Sequence, residues 1–393
     1  MHPSITPNEV QLLRNGTEFF PALVQAIDAA VHEVHLETYI FNFEGAGLTV
    51  AQALLRAAER GVCVRLVVDG AGTGKLPLQW IQRFAQSGVK CHTYDHLSFL
   101  GLWQSRYWRR LHRKLCVVDQ RVAFCGGINL LDDFLDHKGR GRLPAPRLDY
   151  AVRVSGHLVQ VIHDTMRRLW LRLEAIAEWR NRDVRAALDA LREVDPDPDL
   201  SRRGPVQLVL RDNVRYRSQI ERTYRKAIGS ARQDILIACA FFFPGHRLRR
   251  ALILAARRGV RVRLLLQGHY EYFFPYHAAR NLYGHLLAAG VEIYEYHASF
   301  LHAKVAVIDG HWATVGSSNL DPLSLLLARE ANIVVQDAAF AQELISSLQQ
   351  AIAQGATLID PLAYAARSWW QRSVDILGYW LLRFGVVLTG KHY

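Results

Sequence analysis

His112 and Lys114, and again His302 and Lys304, stand two residues apart in the pattern H-x-K. Five residues beyond each lysine comes an aspartate, Asp119 or Asp309. A turn of small residues follows, Gly126-Gly127 or Gly316-Ser317, and then an asparagine, Asn129 or Asn319. All of these recur at one offset, 190 residues (302 minus 112). An imidazole can attack or carry a proton, and an ammonium can hold an anionic oxygen. Two of each, pooled at one site, suit attack on a phosphodiester.

The elements that must position these groups are legible nearby. Residues i and i+2 of a strand face the same way, so each H-x-K places its imidazole and ammonium on one side of one strand. Asp309 precedes Gly310, a favoured hairpin dipeptide, and therefore ends its strand on the opposite parity to the histidine. On that reading Asp119 and Asp309 are architectural supports more than reacting groups. Gly126-Gly127 and Gly316-Ser317 allow close backbone approach to a ligand. Further on, Asp149 and Glu330 each stand directly before an apolar run of strand length.

The repeat also precedes the motifs. Ala53 to Gly70 matches Ala251 to Gly268, each an alanine-rich helix stopped by glycine and followed by an apolar strand. Upstream lie two more apolar runs, Val34 to Phe41 and Ile235 to Phe243. This alternation predicts an α/β protein of two similar domains, each a mixed sheet flanked by helices. The expected boundaries are 1–166 for the first domain and 167–205 for a helical connector and linker. The second domain then covers 206–366, and an amphipathic tail covers 367–393. Asp195-Pro-Asp-Pro-Asp199 and Ser201 to Pro205 supply the linker, and a charged helix from about Arg167 to Glu193 leads into it.

The doubled H-x-K-x-x-x-x-D pattern resembles the phospholipase D superfamily. His302 to Ser324, with Gly316-Ser317-Ser318-Asn319-Leu320-Asp321-Pro322, is similar to the B-type bacterial cardiolipin synthases in particular. Leu36-Glu37-Thr38-Tyr39-Ile40 and Phe242-Phe243-Pro244-Gly245 support it, and the likeness covers most of residues 8–370. The resemblance implies two domains related by a pseudo-two-fold axis around one shared active site. It implies double displacement through a phosphohistidine, with His112 as nucleophile and His302 as general acid. Lys114, Lys304, Asn129 and Asn319 would hold the phosphate oxygens, with no metal or cofactor required. In the wider family an acid hydrogen-bonds the catalytic histidine, a role it carries to Glu330 and Asp149. Gly127 stands where the second half has Ser317, so a hydroxyl contact to phosphate is expected on one side only. The implied substrates are phospholipids: phosphatidylglycerol as acceptor, with phosphatidylethanolamine or a second phosphatidylglycerol as donor. A hydrolase acting on phospholipid or nucleic acid is the alternative activity.

Composition narrows the setting. Half of the chain is hydrophobic and 21% is charged, which excludes a disordered protein. A net charge of +12 predicts attraction to polyanions, either nucleic acid or an anionic membrane face. The lipid resemblance favours the membrane, so no nucleic-acid partner is expected. The implied location is the cytoplasmic face of a bacterial inner membrane, with the oligomeric state left open. Five cysteines without C-x-x-C spacing read as reduced thiols, and the N-terminus shows no signal-peptide pattern. No run reaches ~18 apolar residues. Val374 to Gly390 comes nearest but is interrupted by Asp375 and Arg383 and flanked by Trp369 and Trp370, which suits a helix lying in the interface or packed on the protein.

Other features have plainer readings. Gly70 to Lys75 lacks the first glycine and the final Ser or Thr of a phosphate-binding loop, and reads as an ordinary loop. No third histidine or carboxylate recurs at metal spacing near either motif, so zinc does not explain them. Asp69 and Gln267 end matching strands and could face the cleft. Phe241-Phe242-Phe243 and Tyr39 read as core. Relative to the second half, the first carries a 12-residue insertion within 96–110 (an offset of 202 at Gly88 against 190 at His112). Its Trp103, Trp108 and Arg109 predict a membrane-contact loop.

Overall fold

The computed structural model describes residues 8–94, 110–136, 141–181, 183–192, 204–212, 215–269 and 273–388. The proposed membrane-contact loop and the proline-broken stretch 195–203 lie outside these residues.

The first half runs β1 (Glu9–Arg14), α1 (Asn15–Asp28), β2 (Glu33–Thr38), α2 (Gly45–Glu59) and β3 (Cys63–Asp69). It continues with α3 (Leu78–Ser87), β4 (Lys90–Tyr94), β5 (Lys114–Val118), β6 (Val122–Gly126) and β7 (Tyr150–Ser155). Two helices, α4 (Leu158–Arg180) and α5 (Val184–Arg192), lead out of it. The connecting helix thus begins nine residues before Arg167, because the apolar stripe that buries Leu158, Ile162, Met166 and Leu169 starts at the end of β7.

The second half repeats the order. Its first elements are β8 (Val206–Arg211), α6 (Gln219–Ser230), β9 (Asp234–Cys239), α7 (His246–Arg257) and β10 (Arg261–Gln267). Next come α8 (Phe273–Leu287), β11 (Glu292–Tyr296), β12 (Lys304–Ile308), β13 (Trp312–Gly316), α9 (Pro322–Leu326) and β14 (Glu330–Gln336). The chain then forms α10 (Ala338–Gly355), β15 (Ala356–Leu358), α11 (Pro361–Ala365) and α12 (Trp369–Leu388).

The first sheet has the order β1-β7-β6-β5-β2-β3-β4, and the second has the matching order β8-β14-β13-β12-β9-β10-β11 with β15 added at the edge. In each, the three strands joined by crossover helices are parallel and the rest are antiparallel. A mixed sheet follows because helical crossovers return a strand parallel, whereas short turns return it antiparallel.

Alternation along the strands sorts the core. Leu115, Val117, Val152, Val305, Val307 and Ile333 belong to one apolar cluster shared by both halves, together with residues of α4 and α10. The opposite faces of the two sheets are covered by their own helices, α1 to α3 on one side and α6 to α8 on the other. Both halves therefore bury one continuous core, which fixes their relative placement.

Candidate active site

Each H-x-K lies at the entry to a central strand, β5 or β12, and the lysine is that strand's first residue. The aspartates end the same strands. Asp119 accepts the backbone N–H groups of Val31, His32 and Glu33 at 2.8 Å each. Asp309 accepts those of Arg232, Gln233 and Asp234 at 2.8–3.0 Å. Both sit at positive φ in the turn to the next strand, Asp119 with Gln120 and Asp309 with Gly310, the backbone of a tight hairpin. Each carboxylate is thus engaged at the strand end remote from its histidine, joining the hairpin to the neighbouring strand.

The histidines are brought together by crossed backbone pairing. His112 N–H donates to the Arg329 carbonyl at 3.0 Å, and His302 N–H to the Leu148 carbonyl at 2.8 Å. Each histidine therefore lies beside the acid of the other half. His112 Nδ1 is 2.9 Å from Glu330 Oε1 and 3.1 Å from Oε2. His302 Nδ1 is 2.6 Å from Asp149 Oδ2. A carboxylate on Nδ1 sets the tautomer that leaves Nε2 available for chemistry. Asp69 and Gln267 are also supports. Asp69 Oδ2 accepts the N–H of Leu111 at 2.7 Å, and Gln267 Oε1 that of Leu301 at 3.4 Å. Both hold the residue just before a motif histidine. Asp69 Oδ1 additionally caps Ala71 and Gly72, which makes 70–75 an ordinary structural loop.

The expectation for Ser317 changes. Its hydroxyl donates to Glu330 Oε2 at 2.5 Å and accepts the Ala331 N–H at 3.1 Å, and the side chain is fully buried. It supports the acid rather than presenting a hydroxyl to phosphate. Gly127 shows the complementary reason for its own identity. A Cβ there would meet Asp149 Oδ1 at 2.3 Å, so the shorter acid occupies the space a side chain would need. Asn129 accepts the Ile40 N–H at 3.3 Å, and the buried carbonyl oxygen of Asn319 has no partner. Tyr39, expected in the core, lies edge-on to His112 at 4.8 Å, with Lys114 Nζ 5.3 Å from its ring centre. Its place one residue beyond the end of β2, level with the motif strand, was the available signal. Phe242 and Phe243 are core as read.

The lysines are buried, and each ammonium donates to the carbonyl of its own histidine, Lys114 at 2.7 Å. Burial pushes Lys114 down to about 7 and lowers Lys304. Burial pushes Asp149 up to about 7 against the pull of Lys304. Burial would raise Glu330 too, but His112, Lys114 and the Ser317 hydroxyl outweigh it and hold the group below its usual range. His112 is lowered by burial, with Glu330 opposing. His302 is lowered well below its ordinary value by burial and then by Lys304, Arg147 and Lys114. The site is a dense, buried cluster of two lysines, two histidines and two acids, in which an anionic phosphate would favour the charged form of each lysine.

A domain family described as "Cardiolipin synthase, PLD-like domain" matches residues 23–138 and 224–352, one segment in each half. The chain belongs to this phospholipase D-like family. Cardiolipin synthase B of Escherichia coli (strain K12) is 38% identical over 383 residues, covering 98% of this chain and 90% of that one. Cardiolipin synthase A of Erwinia tasmaniensis is 30% identical over 376 residues, covering 95% and 74%. A phosphatidylserine synthase from Haemophilus influenzae (Rd KW20) shares the fold at a TM-score of 0.71 and 11% identity, over 97% of this chain and 94% of that one. Membership of the family thus accounts for the duplication, the doubled motif and the common sheet order together.

Proposed function

We propose that the chain is a cardiolipin synthase that moves a phosphatidyl group from a phospholipid donor to the glycerol hydroxyl of phosphatidylglycerol. The observation that carries the mechanism is the crossed pairing of His112 with Glu330 and His302 with Asp149. It gives two imidazoles of fixed tautomer beside two lysines. A bound phosphate anion offsets the buried lysines that lower His302 and lets its imidazole take up a proton. Nε2 of His112 then attacks the phosphorus as the protonated His302 gives that proton to the departing headgroup oxygen, leaving a phosphatidyl-histidine. The acceptor hydroxyl, deprotonated by His302, then attacks phosphorus and releases His112. Lys114 and Lys304, with the Asn129 and Asn319 amides, hold the non-bridging oxygens.

The order of the two histidines draws support from the acids. A phosphorylated ring that keeps its Nδ1 proton is positively charged. Glu330 is the acid held below its usual range, so it is the better stabiliser of that charge. No step calls for a metal, since the lysines supply the charge. Transfer also demands a dry cleft, because water at ~55 M competes with any lipid alcohol.

Among the described residues no helix is long and apolar enough to cross a membrane. The α12 helix suits docking on the surface of an anionic one. One face packs on α8, where Asp375 accepts from His277 at 2.7 Å and Tyr379 lies 5.4 Å from the Phe243 ring. The other presents Trp369, Trp370, Leu377, Trp380 and Phe384 to solvent, with Arg372 and Arg383 beside them. Packing and membrane contact thus occupy opposite faces of one helix.

The test is to incubate purified protein with labelled phosphatidylglycerol, with and without phosphatidylethanolamine, and to separate the lipids. Cardiolipin should dominate, and a rapid denaturing quench at alkaline pH, where the phosphohistidine P–N bond survives, should trap the adduct on His112. Phosphatidic acid as the main product would replace transfer by hydrolysis. An adduct on His302 would reverse the order of the rings.

A further inference from the structure

The two halves offer an internal control for residues outside the cleft. Arg65 of β3 is in register with His35 of β2, and Arg263 of β10 with Leu236 of β9, so His35 and Leu236 occupy the same place. Counting from Asp149 and Glu330, His163 of α4 falls where α10 has Leu344. Leu236 and Leu344 are both fully buried in the central apolar core. In the first half both positions are histidines, 2% and 5% exposed, with ring centres 5.2 Å apart. Glu33 completes the group. Its Oε1 lies 3.0 Å from His163 Nε2, and its Oε2 lies 3.4 Å from His35 Nε2.

We infer that Glu33, His35 and His163 form a binding site for a divalent transition metal of the zinc class, separate from the catalytic cleft. One donor atom from each residue lies within 4.8 Å of the others. Zinc bonds to nitrogen and oxygen of about 2.0–2.2 Å in a tetrahedron place the ligand atoms roughly 3.3–3.6 Å apart, close to the 3.0 and 3.4 Å from Glu33 to the two imidazoles. Neither ring nitrogen of His163 makes a well-aligned hydrogen bond, although the side chain is buried and its Nε2 lies 3.0 Å from Glu33 Oε1. Buried polar atoms are seldom left so, and a metal would use Nε2. Asp164 Oδ1, 3.5 Å from His163 Nδ1, stands where a carboxylate commonly orients a metal-bound imidazole. Burial lowers His35, and the imidazoles of His163 and His35 hold Glu33 well below the usual carboxylate range.

Two groups compete for the proposed ligands. Gln120 Nε2 donates to Glu33 Oε1 at 2.6 Å. Arg65 Nη1 lies against His35 Nε2 and 3.3 Å from Glu33 Oε2, the place a cation would take. Its side chain is partly exposed and already lies 5.9 Å from the Trp170 ring centre, so it can swing outward. The site is at the start of β2, beside the strand end that Asp119 caps and away from the end near Lys114. A metal there would tie β2 to α4, the helix that leads toward the second half. Its role would be structural.

The experiment compares the full chain with the double variant His35→Leu/His163→Leu, which installs the leucine pair of the second half. Both are stripped with chelator, dialysed against zinc and assayed for metal content, melting temperature and transfer activity. The wild type should retain about one zinc per chain more than the variant. Zinc should raise its melting temperature by a few degrees and leave the variant's unchanged, while both transfer phosphatidyl groups. Other histidines are common to both proteins, so the difference isolates this site. Equal retention by the two, or none by the wild type, overturns the inference. Should the double variant not fold, Glu33→Gln takes its place, with loss of zinc supporting the site and undiminished zinc refuting it.

Discussion

The two halves carry the same reacting groups on different supports. Around His302 the acid is Asp149, and Gly127 makes room for it. Around His112 the acid is Glu330, and Ser317 fills the corresponding space and donates to it. The first arrangement yields a carboxyl pushed up to about 7, the second one held below its usual range. Tyr39 adds a further difference, since it packs on His112 while the equivalent residue beyond β9 is Ala240. Duplication supplied two identical toolkits, and neighbours one residue deep made them unequal. In the proposed double displacement the two rings face opposite proton demands, which unequal acids would suit.

The comparison can be broken most forcefully at the rings. His112→Gln and His302→Gln should each reduce transfer from the natural donor by about 10⁴-fold or more. A donor whose leaving group is p-nitrophenol needs no protonation, so His302→Gln should still release a burst of nitrophenol and His112→Gln should not. A burst from His112→Gln alone would exchange their roles.

The acids come next. Glu330→Gln should lower kcat by roughly 10²–10⁴-fold, because the amide no longer balances charge on the ring. Asp149→Asn should cost less, about tenfold, because that group is already partly neutral near pH 7. Equal losses in steady-state assays would show that the difference in supports has no catalytic meaning.

The smallest effects lie in the residues that seat the acids. Ser317→Gly removes one hydrogen bond to Glu330 and should destabilise by about 1–3 kcal/mol in denaturant unfolding. Gly127→Ser forces a Cβ into Asp149 and should cost a similar amount by overpacking. If Gly127→Ser were neutral, the two halves would be more interchangeable than their geometry indicates.

Much of this was legible in the sequence because the relevant signals are local. The H-x-K spacing, the helix stopped by glycine before an apolar strand, and the Asp-Gly turn all depend on backbone periodicities over a few residues. Their recurrence in the second half revealed the duplication and, with it, the α/β class. The acids at the entry to β7 and β14 were visible as candidates for the same reason. Which histidine each acid serves was not visible, since Glu330 reaches His112 across 218 residues of chain.

The sequence by itself therefore determined the candidate reacting groups, their local presentation on strands and the repeated architecture. Only the tertiary structure decided the crossing of acids between halves, the inward turn of Ser317, the contact of Tyr39 with His112 and the two-faced packing of α12. The physical reason is common to all four. Each depends on which apolar faces are buried against which, and the shared core between the sheets makes that choice after the local elements have formed.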